Sequence, residues 1–300
     1  MRRPFQVFAE NDRAELPNGS ERIARGRRRR VVRRILAILF VSFFADPLHA
    51  FDDGADGHFE KRESSHFVLF QDVDIDQTSG LRGSRRFEQR VLEVLESAYR
   101  DADEQLGLRP ERQTTVILYD PRVFESRFQG LFRFPAAGFY QGQIHIRGDE
   151  VVSPRLVRVL RHEFIHAAFD AEAPSVQLPG WLNEGVAEFF EIPTTAASRL
   201  SSREWQRLRQ AQGRGRLFSL EGLSGPSFAS LEGSDARLAY LQSSAFIEYL
   251  YRSQGERRVR GWLADLLRKG NLDRATRRNF RLDLSELQEQ FRMQLAGTSG

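Results

Sequence analysis

Two histidines four residues apart, in the run Arg161-His162-Glu163-Phe164-Ile165-His166, constrain this chain more than any other feature. On a helix, residues i and i+4 lie about 40° apart around the axis, so both imidazoles project from one face. That is the geometry a divalent cation needs. Glu163 lies beside that face, where a carboxylate can act on water next to the ion. The flanking Leu156, Val159, Leu160, Phe164 and Ile165 are apolar, so the motif belongs to a buried helix. Buried His and Glu side chains need partners or a metal, and the pattern points to Zn2+.

A catalytic zinc takes three protein ligands and keeps one position for water. His162 and His166 supply two. A metzincin would place Gly and His three and six residues after His166, where this chain has Phe169 and Glu172, so that class is excluded. Glu184 follows after a spacer of seventeen residues, room for the chain to turn back and aim a carboxylate at the same ion. Glu188, one turn further, shares its face and is expected to accept the second ring N–H of a ligand histidine. Asn183 adds a polar group beside the ligand.

Local signals set the elements that carry these residues. Ser153 as N-cap and Pro154 in the first helical position start a helix that runs to about residue 170. Pro179-Gly180 opens a second, ending near Glu191 before Pro193. Upstream, residues 65–70 and 114–119 are β-type runs, and residues 123–128 a short helix. Between the two runs, Phe87, Val91, Leu95, Ala98, Ala102 and Leu106 recur at helical spacing, predicting a long amphipathic helix stopped by Gly107 and Pro110. Residues 138–146 read as a hairpin about Gln141-Gly142, its second strand either an exposed sheet edge or ordinary sheet, and His145 as a structural residue. Downstream come a helix at 199–209, a Gly- and Ser-rich loop over 213–233 placed to lie over a cleft, and helices at 240–251, 257–267 and 284–295. Within the first of those three, Glu248 and Arg252 read as a solvated helix pair. Strands early and helices late predict an α+β fold, a small mixed sheet followed by a helical C-terminal subdomain.

The net charge of +4 is unevenly spread. Residues 1–50 hold eleven arginines against five acids, which leaves a net of −2 on residues 51–300 and no support there for nucleic-acid binding. The absence of cysteine excludes disulfides, thiol catalysis and Cys-ligated zinc. Arg27 to Arg30, Arg33 and Arg34 precede an apolar run over 35–45 and a small-residue site at Ala50, the pattern of a secretory signal peptide. That run is well short of the roughly 20 residues needed to span a bilayer. Residues 1–50 are therefore expected to be a leader and the protein exported, periplasmic or secreted. The alternative is an anchor through residues 35–45, with any membrane association confined to the leader. The domain is residues 51–300, its core 64–192 and its helical part 193–296.

His162-Glu-Phe-Ile-His166 together with Leu178-Pro-Gly-Trp-Leu-Asn-Glu-Gly-Val-Ala-Glu188 resembles the gluzincin zinc metallopeptidases, most of all the peptidase-MA-like family of bacterial exported proteins. The similarity runs over about residues 64–296 and includes the late run 239–250. It implies a gluzincin, thermolysin-like fold with His162, His166 and Glu184 as zinc ligands and Glu163 as general base and proton shuttle. It places Glu188 behind the ligands. Tyr240 is the natural candidate to stabilise an oxyanion, ahead of Tyr140 and Tyr249. The Gly-x-Met-Glu-Asn motif of gluzincin aminopeptidases is missing, so an endopeptidase acting on a peptide or protein is expected. The alternatives are a zinc-binding envelope protein of this fold with little or no proteolysis, and a non-peptidase zinc hydrolase.

Overall fold

The structure, a computed structural model, describes residues 6–9, 59–72, 84–128, 136–149, 151–193, 198–228, 231 and 233–297. A small mixed sheet is built from Phe59–Glu63 (β2), Phe67–Asp72 (β3), Thr114–Tyr119 (β4), Ala136–Tyr140 (β5) and Ile144–Arg147 (β6), with Gln6–Ala9 (β1) added beside β5. The strand order is β1-β5-β6-β4-β3-β2. The β3–β4 and β4–β6 pairs are parallel and the others antiparallel. The hairpin's second strand is therefore interior, and the exposed-edge reading is corrected. Its partner across the sheet, β4, is distant in sequence and leaves no local signal. Of residues 1–50, the four of β1 are described; the apolar run 35–45 and the expected cleavage site at Ala50 lie outside the described residues. Among the described residues no helix is long and apolar enough to cross a membrane.

Alternation along β4 explains why both faces of the sheet are covered. Val116 and Leu118 face the main core, while Ile117 and Tyr119 join a smaller aromatic cluster with Phe124 and Phe139. Ser84–Leu106 (α1) and Pro154–Glu172 (α3) pack together on the core side; Pro121–Phe128 (α2) covers the other. His145 belongs to the aromatic side. Its ring stacks on Phe139 at 4.6 Å, and its Nδ1 lies 2.9 Å from the Tyr119 hydroxyl. Burial holds its pKa down at about 4, so it is a packed, neutral residue, as expected.

The remaining helices are Gly180–Phe190 (α4), Ser202–Gly213 (α5), Gly233–Gln254 (α6), Glu256–Lys269 (α7), Leu272–Phe280 (α8) and Leu284–Gly297 (α9). The architecture is thus mixed α and β with a helical C-terminal part. Glycine makes the closest approach possible. A Cβ built on Gly185 would stand 2.8 Å from the Ser243 carbonyl oxygen, so the residue after Glu184 must be glycine for α6 to lie against α4. That contact brings Tyr240, on α6, toward the side chains of α4.

Candidate metal centre

Ser153 caps α3 as the sequence predicts, its Oγ accepting from the backbone N–H of Leu156 at 3.2 Å with Pro154 opening the helix. Both histidines then point inward. Helix α4 starts at Gly180, where the N–H groups of Gly180 and Trp181 donate to the carbonyls of Gly225 and Leu223, each at 2.9 Å. The loop expected over a cleft is thus seated on the first turn of α4, with Leu220, Leu223 and Phe228 buried. Gly180 leaves it room; a Cβ there would come within 2.4 Å of the Gly225 carbonyl oxygen.

Three groups from these two helices converge. Nε2 of His162 lies 3.5 Å, and Nε2 of His166 3.6 Å, from the same oxygen of Glu184. All three side chains are buried, at most 1 % exposed. Bonds of about 2.0–2.1 Å to a tetrahedral ion would set ligand atoms about 3.4 Å apart, so the spacing fits a small divalent cation. Nε2 of His166 and both carboxylate oxygens of Glu184 make no hydrogen bond among the described residues. A buried carboxylate left that way costs several kcal/mol, a cost that an ion between the three groups removes. His162, His166 and Glu184 therefore form a buried group able to hold a metal ion.

The other ring nitrogens are committed. Nδ1 of His166 lies 3.2 Å from Oδ1 of Asn183. Nδ1 of His162 lies 3.1 Å from Oε1 of Glu191, the contact expected of Glu188. With both Nδ1 atoms engaged in this way, Nε2 is on each ring the atom that faces the common point. Glu188 stands close by, its carboxylate within 4.8 Å of His162 and Glu191. Glu191 is seven residues after Glu184, about two turns and so on the same face. Acids at 184, 188 and 191 form one stripe, and that spacing is the sequence signal for Glu191.

The C-terminal end of α4 is held by three arginines, one of which pairs with Glu191 itself. Arg158 Nε donates to its Oε2 at 2.6 Å. Arg161, 2 % exposed, donates to the Phe190 carbonyl at 2.9 Å and pairs with Asp101 at 2.8 Å. Arg199 donates to the carbonyls of Phe189 at 2.6 Å and Ile192 at 2.9 Å. Helix α4 has no basic residue in its own last turn, so cations from elsewhere satisfy its final carbonyls and its dipole.

Charge in the cluster is strongly coupled. Burial would raise the Glu184 carboxyl, but the His166 and His162 imidazoles outweigh it and take its pKa down to about 2. Burial likewise opposes charge on His162, yet the neighbouring carboxylates of Glu184 and Glu191 lift its pKa well above the ordinary value. His166, where burial wins, falls below it. Burial and the Glu191 carboxylate push Glu188 up to about 8.

Glu163 is wholly buried within this cluster, and its charge is felt by His162. Tyr240 is brought to it: burial first, then the carboxylates of Glu184, Glu188 and Glu163, raise its hydroxyl pKa well above the usual 10. Its ring meets Phe228 edge-on at 5.0 Å. Tyr140 and Tyr249 are engaged elsewhere, donating to Asp170 at 2.8 Å and Gln290 at 3.1 Å. Glu248 does pair with Arg252 at 2.7 Å, but it is buried, accepting also from Ser198 Oγ and the Leu200 N–H. The expectation of a solvated pair is corrected: packing of the 198–200 segment over α6 closes that site. Compared with known proteins, the sequence matches no family model and no curated protein.

Proposed function

We propose that this protein is an exported zinc endopeptidase of gluzincin type. The observation that carries the reading is the convergence of His162 Nε2, His166 Nε2 and the Glu184 carboxylate on one buried point, with Glu163 beside it. Bound there, Zn2+ supplies Lewis-acid activation of water and of a substrate carbonyl. His162, His166 and Glu184 hold the ion; Glu191 and Asn183 keep both rings in the Nδ1–H tautomer. The Glu163 carboxylate takes a proton from the attacking water and returns it to the leaving amine. Tyr240, kept neutral by burial and then by the surrounding carboxylates, remains an O–H donor toward the developing oxyanion. Export rests on the leader pattern alone, and cell fractionation tests it.

The full burial of Glu163 and Glu184 favours a second reading, a zinc-binding envelope protein of the same fold with little or no proteolysis. One experiment separates the two: a broad peptide library incubated with wild type and with Glu163→Gln, zinc content measured in both. The peptidase reading expects equal zinc and a loss of cleavage of about 10²–10⁴-fold in the variant. Zinc in the wild type without cleavage supports the second reading.

A further inference from the structure

The overall charge of the domain conceals a segregation. Residues 257–281, which make up most of α7 and all of α8, carry nine basic residues against Asp265 and Asp273, a net of +7. The remainder of residues 51–300 consequently carries −9. Within the basic hairpin, Arg274, Arg277, Arg278 and Arg281 are all exposed. At about 100° per residue they fall within a sector of about 100°, a stripe running about 10 Å along α8. The opposite face, Ala275, Thr276 and Phe280, is buried.

Two features separate this stripe from an ordinary solvated face. Asp265 takes up Arg268 and Arg278, but Arg257, Arg258, Lys269, Arg274, Arg277 and Arg281 form no ion pair among the described residues. Helices α7 and α8 also end in the same left-handed conformation and use different residues for it. Helix α7 closes with Gly270 at φ 63°, the usual solution; α8 closes with Arg281 at φ 60°, the one non-glycine residue at positive φ among the described residues. A side chain there carries strain that glycine avoids, and here it adds one more cation to the stripe.

We propose that this face docks on an anionic phospholipid surface. Large apolar side chains on the described surface are confined to Val151 and Met293, so the hairpin has no aromatic platform for stacking bases and no wedge to insert. What it offers is a dense plane of fixed positive charge, which fits a partner presenting a plane of negative charge. The acidic remainder of the domain is repelled by the same surface and sets the orientation. The inference is independent of the metal centre, and it adds to the leader a membrane contact made by the folded domain.

The test is cosedimentation of the full chain with vesicles of phosphatidylcholine alone and of phosphatidylcholine with phosphatidylglycerol, at low and high salt. Phosphatidylglycerol should strengthen binding, and high salt should abolish that gain. Arg274→Gln combined with Arg277→Gln and Arg281→Gln should remove about a hundredfold of it and leave binding to neutral vesicles as in the wild type. Arg281→Gly covers the case in which the triple variant misfolds: it should melt at a higher temperature than the wild type and still bind phosphatidylglycerol more weakly. Equal binding to both lipid compositions overturns the proposal, and so does an undiminished phosphatidylglycerol response in the variants. Tighter binding to a DNA duplex than to the vesicles at the same salt also overturns it and assigns the stripe to nucleic acid.

Discussion

Nδ1 of His162 lies 3.1 Å from Oε1 of Glu191, and the other oxygen of that carboxylate accepts from Arg158 Nε at 2.6 Å. The ring is thereby oriented from the end of α4, three residues beyond Glu188. Glu191→Gln should weaken zinc binding by about 10–100-fold, whereas Glu188→Gln should change it much less. Competition against a chromophoric chelator measures both. Equal losses would return Glu188 to the role the sequence suggested.

Gly185 sets the distance between α4 and α6. In Gly185→Ala the new methyl would stand 2.8 Å from the Ser243 carbonyl oxygen, which is backbone and cannot swing away. Overpacking of this kind costs about 1–3 kcal/mol, read as a lower urea midpoint. Displacement of Tyr240 should reduce turnover more than it reduces zinc content.

Arg199 closes the last carbonyls of α4 and lies 3.9 Å from the centre of the Phe189 ring. Arg199→Met keeps the stem and removes the donors, leaving partly buried carbonyls unpaired at a cost of about 1–3 kcal/mol. Because Glu191 hangs from that helix end, zinc affinity should fall with stability. Urea unfolding with and without added zinc separates the two effects.

How much of this was legible depended on the range of the interactions. The start of α3 and the shared face of His162 and His166 follow from signals within one or two turns, whereas Glu184 comes from the far side of a seventeen-residue spacer; the structure brings all three side chains together. Glu191 lies at the C-cap of α4, on the same face as Glu184 and Glu188, so its spacing is local, but its place behind His162 is fixed with Arg158 from another helix, which nothing next to it in sequence marks. The interior position of β6 depends on parallel pairing with β4, again a long-range contact. Strand β2, Phe-Glu-Lys-Arg-Glu, has too little apolar content to signal an edge strand, and α8 is nine residues with only a narrow apolar face.

His145 gives the fold a pH dependence separate from the metal. Its folded pKa of about 4 lies below the ordinary imidazole value of 6.5. The unfolded chain therefore binds the proton first, and stability falls as pH drops from 6.5 toward 4, levelling off below. At about 1.4 kcal/mol per unit the loss is at most about 3 kcal/mol. In His145→Phe the slope of unfolding free energy against pH should flatten over that window.

The most direct measurement is the zinc content per chain of the purified protein and of Glu184→Gln and His166→Ala. One zinc per wild-type chain, with a marked loss in both variants, is what the convergence of His162, His166 and Glu184 requires. A wild type without stoichiometric zinc, or variants that retain it in full, would contradict the metal centre and everything argued from it.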